Sequence, residues 1–193
     1  RAFRPRHPVL MKSWIRQLES ISERRTQAYF SNKVQLADLF EWVLEQTGPC
    51  SLEISTFSTS ESFLRRLYRL KQAGKVLKCR LIADVRAAKK TASLYTFMKS
   101  VFDEIYLCQN HSKVVLLRPV NETGVVAIVT SQNQTRGDRY EAGVITRDGF
   151  AVANLIIHMA DMAANSVSID AILNRPINPG ADSTTGERAD TAE

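Results

Sequence analysis

His111-Ser112-Lys113 sets an imidazole and an ammonium group two positions apart. On a strand, alternate side chains share a face, so His111 and Lys113 are expected to project together. An imidazole is a nucleophile and proton carrier near neutral pH. A fixed cation beside it suits chemistry on a phosphate, where negative charge grows on oxygen. After an apolar run, Ser131-Gln132-Asn133 repeats the same spacing and adds uncharged hydrogen-bonding groups, and Glu141 follows.

The elements that must carry these residues can be read from apolar periodicity. Met11, Trp14, Ile15, Leu18 and Ile21 recur at helical spacing and predict a first helix within residues 11–30. Val34, Leu36, Leu39, Phe40, Val43 and Leu44 predict a second over 33–46, stopped by Gly48-Pro49. Leu52–Phe57 alternates as a strand does, and Ser58-Thr59-Ser60-Glu61 opens a helix with cap chemistry. Phe63, Leu64, Leu67 and Leu70 form that helix's apolar stripe, and Gly74 ends it. A strand over 76–82 and a helix over 87–100 follow, an order that argues for an α/β sheet with parallel crossovers. Beyond it, short strands at 104–108, 113–117, 125–130 and 142–146 have the spacing of hairpins, and a last helix spans 150–167. From Asn174 onward Pro, Gly, Ser, Thr and Asp dominate, and disorder is expected.

The chain of 193 residues is long enough for one domain with a substantial core. Cys50, Cys79 and Cys108 are odd in number and widely spaced, forming neither a CxxC pair nor a disulfide framework. A reducing, cytoplasmic setting is expected. No apolar run reaches the ~18 residues a membrane span requires, and the basic start shows no signal-peptide pattern. The net charge of +6 is uneven: between Glu61 and Arg118 there are 13 Lys or Arg against 4 Asp or Glu. Such a basic body fits a polyanionic partner, nucleic acid ahead of an anionic membrane surface; the same charges also serve simply to keep helix faces soluble. Arg65, Arg66 and Arg69 share one predicted helix, where they face either a nucleic-acid backbone or solvent. His7 and His158 stand apart from the constellation, and Arg136-Gly137-Asp138 reads as a turn.

With its residues in this order, the chain resembles the phospholipase D superfamily, whose signature is HxK, a downstream Asp, then GSxN and a later acidic residue. His111-Ser112-Lys113, Thr130-Ser131-Gln132-Asn133 and Glu141 stand for these parts, and the resemblance covers roughly residues 45–165. Two positions depart from it: the family's Asp falls on Arg118, and the Gly of GSxN is Thr130. The resemblance implies a mixed α/β sheet flanked by helices and a phosphodiesterase domain over 49–168; apolar periodicity adds an N-terminal helical arm over 1–48, and composition a flexible tail over 169–193. The resemblance further implies a homodimer, because the family's chemistry uses two HxK motifs and this chain has one. One His111 would attack phosphorus, and His111 of the partner subunit would protonate the leaving oxygen. Lys113 and Asn133 would bind the phosphate oxygens, Ser131 would support them, and Glu141 would orient the imidazole. No cofactor or metal is implied. Small size and basic charge favour a nucleic-acid substrate, DNA ahead of RNA, and the N-terminal arm offers a surface for a further protein partner. The alternatives are a phospholipase, a catalytically impaired protein of the same fold that binds nucleic acid, and an interaction protein that has kept only the fold.

Overall fold

The computed structural model describes residues 17–86, 92–121, 124–135 and 137–173. The first ordered strand, β1 (Thr26–Ser31), precedes α1 (Leu36–Thr47) and β2 (Cys50–Thr56). Then come α2 (Glu61–Gln72), β3 (Val76–Asp84), a 3-10 turn (Ala92–Leu94), α3 (Tyr95–Val101) and β4 (Glu104–Cys108). The second half holds β5 (Val114–Pro119), β6 (Val126–Thr130), β7 (Glu141–Thr146), α4 (Gly149–Ala164), β8 (Val167–Ser168) and α5 (Ile169–Leu173). All eight strands form one mixed sheet in the order β1-β7-β6-β5-β2-β3-β4-β8. β2, β3 and β4 run parallel, while β5, β6, β7 and β1 form an antiparallel run beginning on the other side of β2. This is the α/β architecture expected from the sequence.

Helices cover both faces. The apolar stripes of α1 and α2 bury Leu39, Phe40, Val43, Leu64 and Leu67 against one face, where they meet Ile54, Leu81 and Leu117 of the sheet. Each such side chain contributes roughly 1.5–3 kcal/mol by leaving water. α2 starts as its sequence dictates, with the Ser60 hydroxyl accepting from the Phe63 amide. On the opposite face α4 packs Val152, Met159 and Ala163 over Ile82, Val114, Leu116 and Ala127. Cys50 and Cys79 are buried free thiols, and burial pushes both above their ordinary pKa; Cys108 is half-buried.

Three expectations change. The helix foreseen within 11–30 is not continued beyond the turn at Ser20–Arg24, because Thr26–Ser31 is a strand paired with β7. The amphipathic spacing stops at Ile21, and the β-branched and aromatic residues that follow gain a ladder partner that periodicity cannot see. Residues 1–16, which include the first part of that expected helix, lie outside the described residues, as do 87–91 of the helix foreseen over 87–100 and the tail from 174. At the other end, the expected flexible tail begins with the short helix α5, anchored by Ile169 in the core. Lastly, β4 and β5 are not a hairpin: β4 pairs with β3 and β8, β5 with β2 and β6. The chain leaving β4 therefore crosses the ends of β3 and β2 before it enters β5.

The edge pair β1–β7 contains a tight fit. Tyr29 lies opposite Gly143 in the ladder, and a Cβ on Gly143 would come within 2.6 Å of the tyrosine ring. Gly143→Ala is expected to destabilise the fold by about 1–3 kcal/mol through overpacking, lowering the melting temperature by several degrees in a thermal unfolding scan; an unchanged midpoint would mean that the ring has room to move.

Candidate active site

Strand direction gathers one set of ends. The C-terminal ends of β2, β3, β4, β6 and β1 lie beside the N-terminal ends of β5 and β7. His111, Lys113, Ser131 and Glu141 all fall at this end of the sheet. It is also the end at which open α/β sheets bind ligands.

His111 and Lys113 are not within a strand, as the period-2 reading had them. They occupy the extended crossing that enters β5 at Val114. Lys113 nonetheless prolongs the ladder, its carbonyl accepting from the Thr130 amide at 3.0 Å. The Lys113 ammonium donates to the His111 carbonyl at 2.9 Å, and the exposed His111 ring packs on Phe57 with centroids 5.2 Å apart.

What fixes this crossing is Asn110, buried at 4% exposure. Its side-chain amide donates to Ser55 Oγ at 2.9 Å and to the Ile82 carbonyl at 3.1 Å. Its backbone amide donates to Asp84 Oδ2 at 2.9 Å. Asn110 Oδ1 accepts from the Ser112 amide at 2.8 Å and the Ser112 hydroxyl at 2.7 Å. Ser55 and Ser112 hydroxyls also bond each other. β2, β3 and the loop are thus joined through one polar knot directly beside His111. Periodicity gave no sign of Asn110, Ser55 or Asp84; the one available signal was polar residues in otherwise apolar strands.

Across β5 and β6, the Ser131 hydroxyl is hydrogen-bonded to Glu141 Oε2 and accepts from the Ala142 amide at 3.0 Å. The Ser131 amide donates to the Ala142 carbonyl at 2.9 Å. Thr130, at the motif's glycine position, is no idle replacement. Its hydroxyl meets the Tyr29 hydroxyl at 2.6 Å and accepts from the Gln132 amide at 3.1 Å. Burial raises the Tyr29 pKa, the nearby Glu141 carboxylate adds to the rise and the Thr130 bond opposes it, so Tyr29 stays a neutral donor. Asn133 is half-buried, and its Oδ1 has no hydrogen-bond partner.

The structure therefore couples Ser131 with Glu141 and His111 with Lys113. Among the described residues no hydrogen bond joins one pair to the other or either to Asn133. Arg118, at the family's Asp position, sits at the far end of β5 opposite Ser51, remote from His111. Among the described residues no group of three or more His, Cys, Asp or Glu is placed to hold a metal, and no helix is long and apolar enough to cross a membrane.

Comparison with protein-family models and with curated protein sequences returns no match. Solved structures do match. Nuc from Salmonella typhimurium, a phospholipase D family member, superposes with a TM-score of 0.57 at 17% identity, over 74% of this chain and 96% of that one. The chain has the phospholipase D fold. NucT from Helicobacter pylori matches with a TM-score of 0.56 at 13% identity, over 74% of this chain and 99% of that one. TrmBL2, an archaeal chromatin protein whose structure shows a mode of DNA binding, gives 0.53 at 10% identity, over 80% and 58% of the two chains. In this phospholipase D fold, the HxK letters sit on a strand-to-strand crossing and the SxN letters at the end of the neighbouring strand.

The Asn110 knot can be tested directly. Asn110→Ala strips partners from Ser55, Ser112 and the Ile82 carbonyl, each at least partly shielded from water. A loss of about 2–4 kcal/mol in urea unfolding is expected, since each orphaned group costs roughly 1–3 kcal/mol. A loss below about 1 kcal/mol would show that water replaces the amide freely.

Proposed function

We propose that the protein is a phosphodiesterase of phospholipase D type that cleaves nucleic acid, DNA ahead of RNA, without a metal ion and through a phosphohistidine. The observation that carries this is an exposed imidazole, His111, held beside Lys113 on a crossing that Asn110 locks to the strand ends. A nucleophile must be held at a fixed place to gain from proximity, and the knot supplies that.

In this reading His111 attacks phosphorus, a P–N bond forms and the bond to the leaving oxygen breaks. A second imidazole, His111 of the partner subunit, gives the leaving oxygen its proton. It then takes a proton from water as the water attacks phosphorus and the P–N bond breaks. Lys113 leaves its contact with the His111 carbonyl to bind a phosphate oxygen, and Asn133 binds another. The Ser131–Glu141 pair holds the end of β6 against β7, next to where Lys113 pairs with Thr130. The three free thiols suit a reducing, cytoplasmic setting.

A second reading keeps the binding and drops the turnover. Arg118 and Thr130 replace two motif letters, and Thr130 is tied into contacts with Tyr29 and Gln132 that a glycine would lack. A nucleic-acid-binding protein with an inactive centre would carry such changes.

Incubating plasmid and single-stranded DNA with the protein in excess EDTA separates the two readings. Wild type is expected to cleave, and His111→Ala to lose at least about 10³-fold in rate, as removal of a covalent nucleophile does. Binding without cleavage would select the second reading, and equal activity in both proteins would remove His111 from the reaction.

A further inference from the structure

Beside the candidate centre lies a cavity of about 420 Å³, within the ~300–1,000 Å³ typical of ligand pockets. It opens between the β1–α1 loop, the N-terminal half of α2 and the loop after β6. We infer that this cavity holds the nucleotide next to the scissile phosphate of a single strand, its phosphate bound by Lys33, Arg69 and the start of α2 and its base met by Gln134 and by Oδ1 of Asn133, whose amide nitrogen serves the scissile phosphate. The inference rests on reading His111 as a phosphodiesterase centre.

Continuity with that centre is the first argument. Asn133, one of the residues assigned to the phosphate, lines the cavity. Ser60 lines it too, three residues after the Phe57 that packs on His111, and its amide donates to the Gln134 carbonyl at 3.1 Å. Three residues of chain span at most about 11 Å, which keeps the cavity wall at Ser60 close to the ring that packs on His111.

Charge is the second. Three cations line the cavity, against one carboxylate, Asp138. Arg66 is already engaged by Asp38 and Glu41, which raise its pKa further. Arg69 makes only a 3.3 Å bond to the Arg65 carbonyl, and Lys33 forms no ion pair with any described residue. Both are exposed. The Ser62 hydroxyl and the first turn of α2 add donors and a positive helix end, a setting that favours phosphate.

The cavity wall also carries an unmet demand for hydrogen bonds. Gln134 lines the cavity, is 1% exposed, and neither its side-chain oxygen nor its side-chain nitrogen has a partner; Asn133 Oδ1 also has none. Native interiors seldom leave such groups unpaired without reason, and Asn110 nearby is fully engaged. A nucleobase edge presents donors and acceptors side by side, as an amide requires. A cavity of this size takes one unstacked nucleotide, which a single strand offers and an intact duplex does not.

The test uses the full chain carrying His111→Ala, so that turnover does not consume the probe. Binding is measured by fluorescence anisotropy across a salt series for a 12-nucleotide mixed-sequence DNA strand, its duplex, and a 12-nucleotide abasic strand. Adding Lys33→Ala and Arg69→Ala is expected to weaken single-strand binding about tenfold and to lower the salt slope by about 1.4, the loss of two phosphate contacts. The abasic strand should bind several-fold more weakly than the normal one. Unchanged affinity and slope, equal binding of the abasic strand, or preference for the duplex would each overturn the inference. An unshifted melting temperature of the triple variant shows that both exposed residues were removed without harm to the fold. Cleavage by the wild type alongside unchanged binding by the triple variant would sink this subsite and leave the proposed reaction standing. A binding loss without any wild-type cleavage would overturn the proposed reaction, and with it the scissile phosphate beside this cavity.

Discussion

Three hydrogen bonds run head to tail around a closed ring beside His111, and the placement of the site depends on them. The Asn110 amide donates to Ser55 Oγ, and the Ser112 hydroxyl donates to Asn110 Oδ1. The Ser112 proton being spent there, the Ser55 hydroxyl must donate to Ser112. Each member both gives and accepts, an arrangement in which neighbouring bonds polarise and strengthen one another. The ring is anchored on β2 through Ser55 and on β3 through the Ile82 carbonyl and Asp84. It is needed because of topology: β5 joins the far side of β2, so the chain must pass over two strand ends without a ladder to guide it.

The other half of the site is organised from the sheet edge. Tyr29 of β1 reaches across Gly143 of β7 to the Thr130 hydroxyl at the end of β6. The residue that departs from the family pattern at position 130 thus has its complement one strand over. Thr130 fills the glycine position of the motif, and a glycine opposite it in the ladder makes room for the tyrosine. This packing fixes the turn from which Ser131 meets Glu141.

Much of this was legible beforehand, for physical reasons. The apolar stripes of α1 and α2 have one buried face each, so helical spacing exposes them plainly in sequence. The motif residues were legible because their chemistry is unusual together. β1 was not, since a half-exposed edge strand owes its form to a partner more than a hundred residues away. Pairing of β5 with β2 was also hidden: four short apolar strands in series look alike whether they pair in order or skip. The Asn110 knot was invisible for a related reason, because a buried polar residue is recognised by its partners, and those lie on three separate segments.

A pattern written HxK treats its middle letter as a blank. Here that letter is Ser112, whose hydroxyl is turned into the ring while His111 is exposed on the outside of the same loop. The blank is therefore the point where the loop carrying His111 and Lys113 is tethered to the scaffold. A small hydroxyl is tolerated there; a bulky or purely apolar side chain would break the ring and let the imidazole drift. Recognition of such chains by pattern alone passes over a position that, with Asn110, holds the pattern in shape.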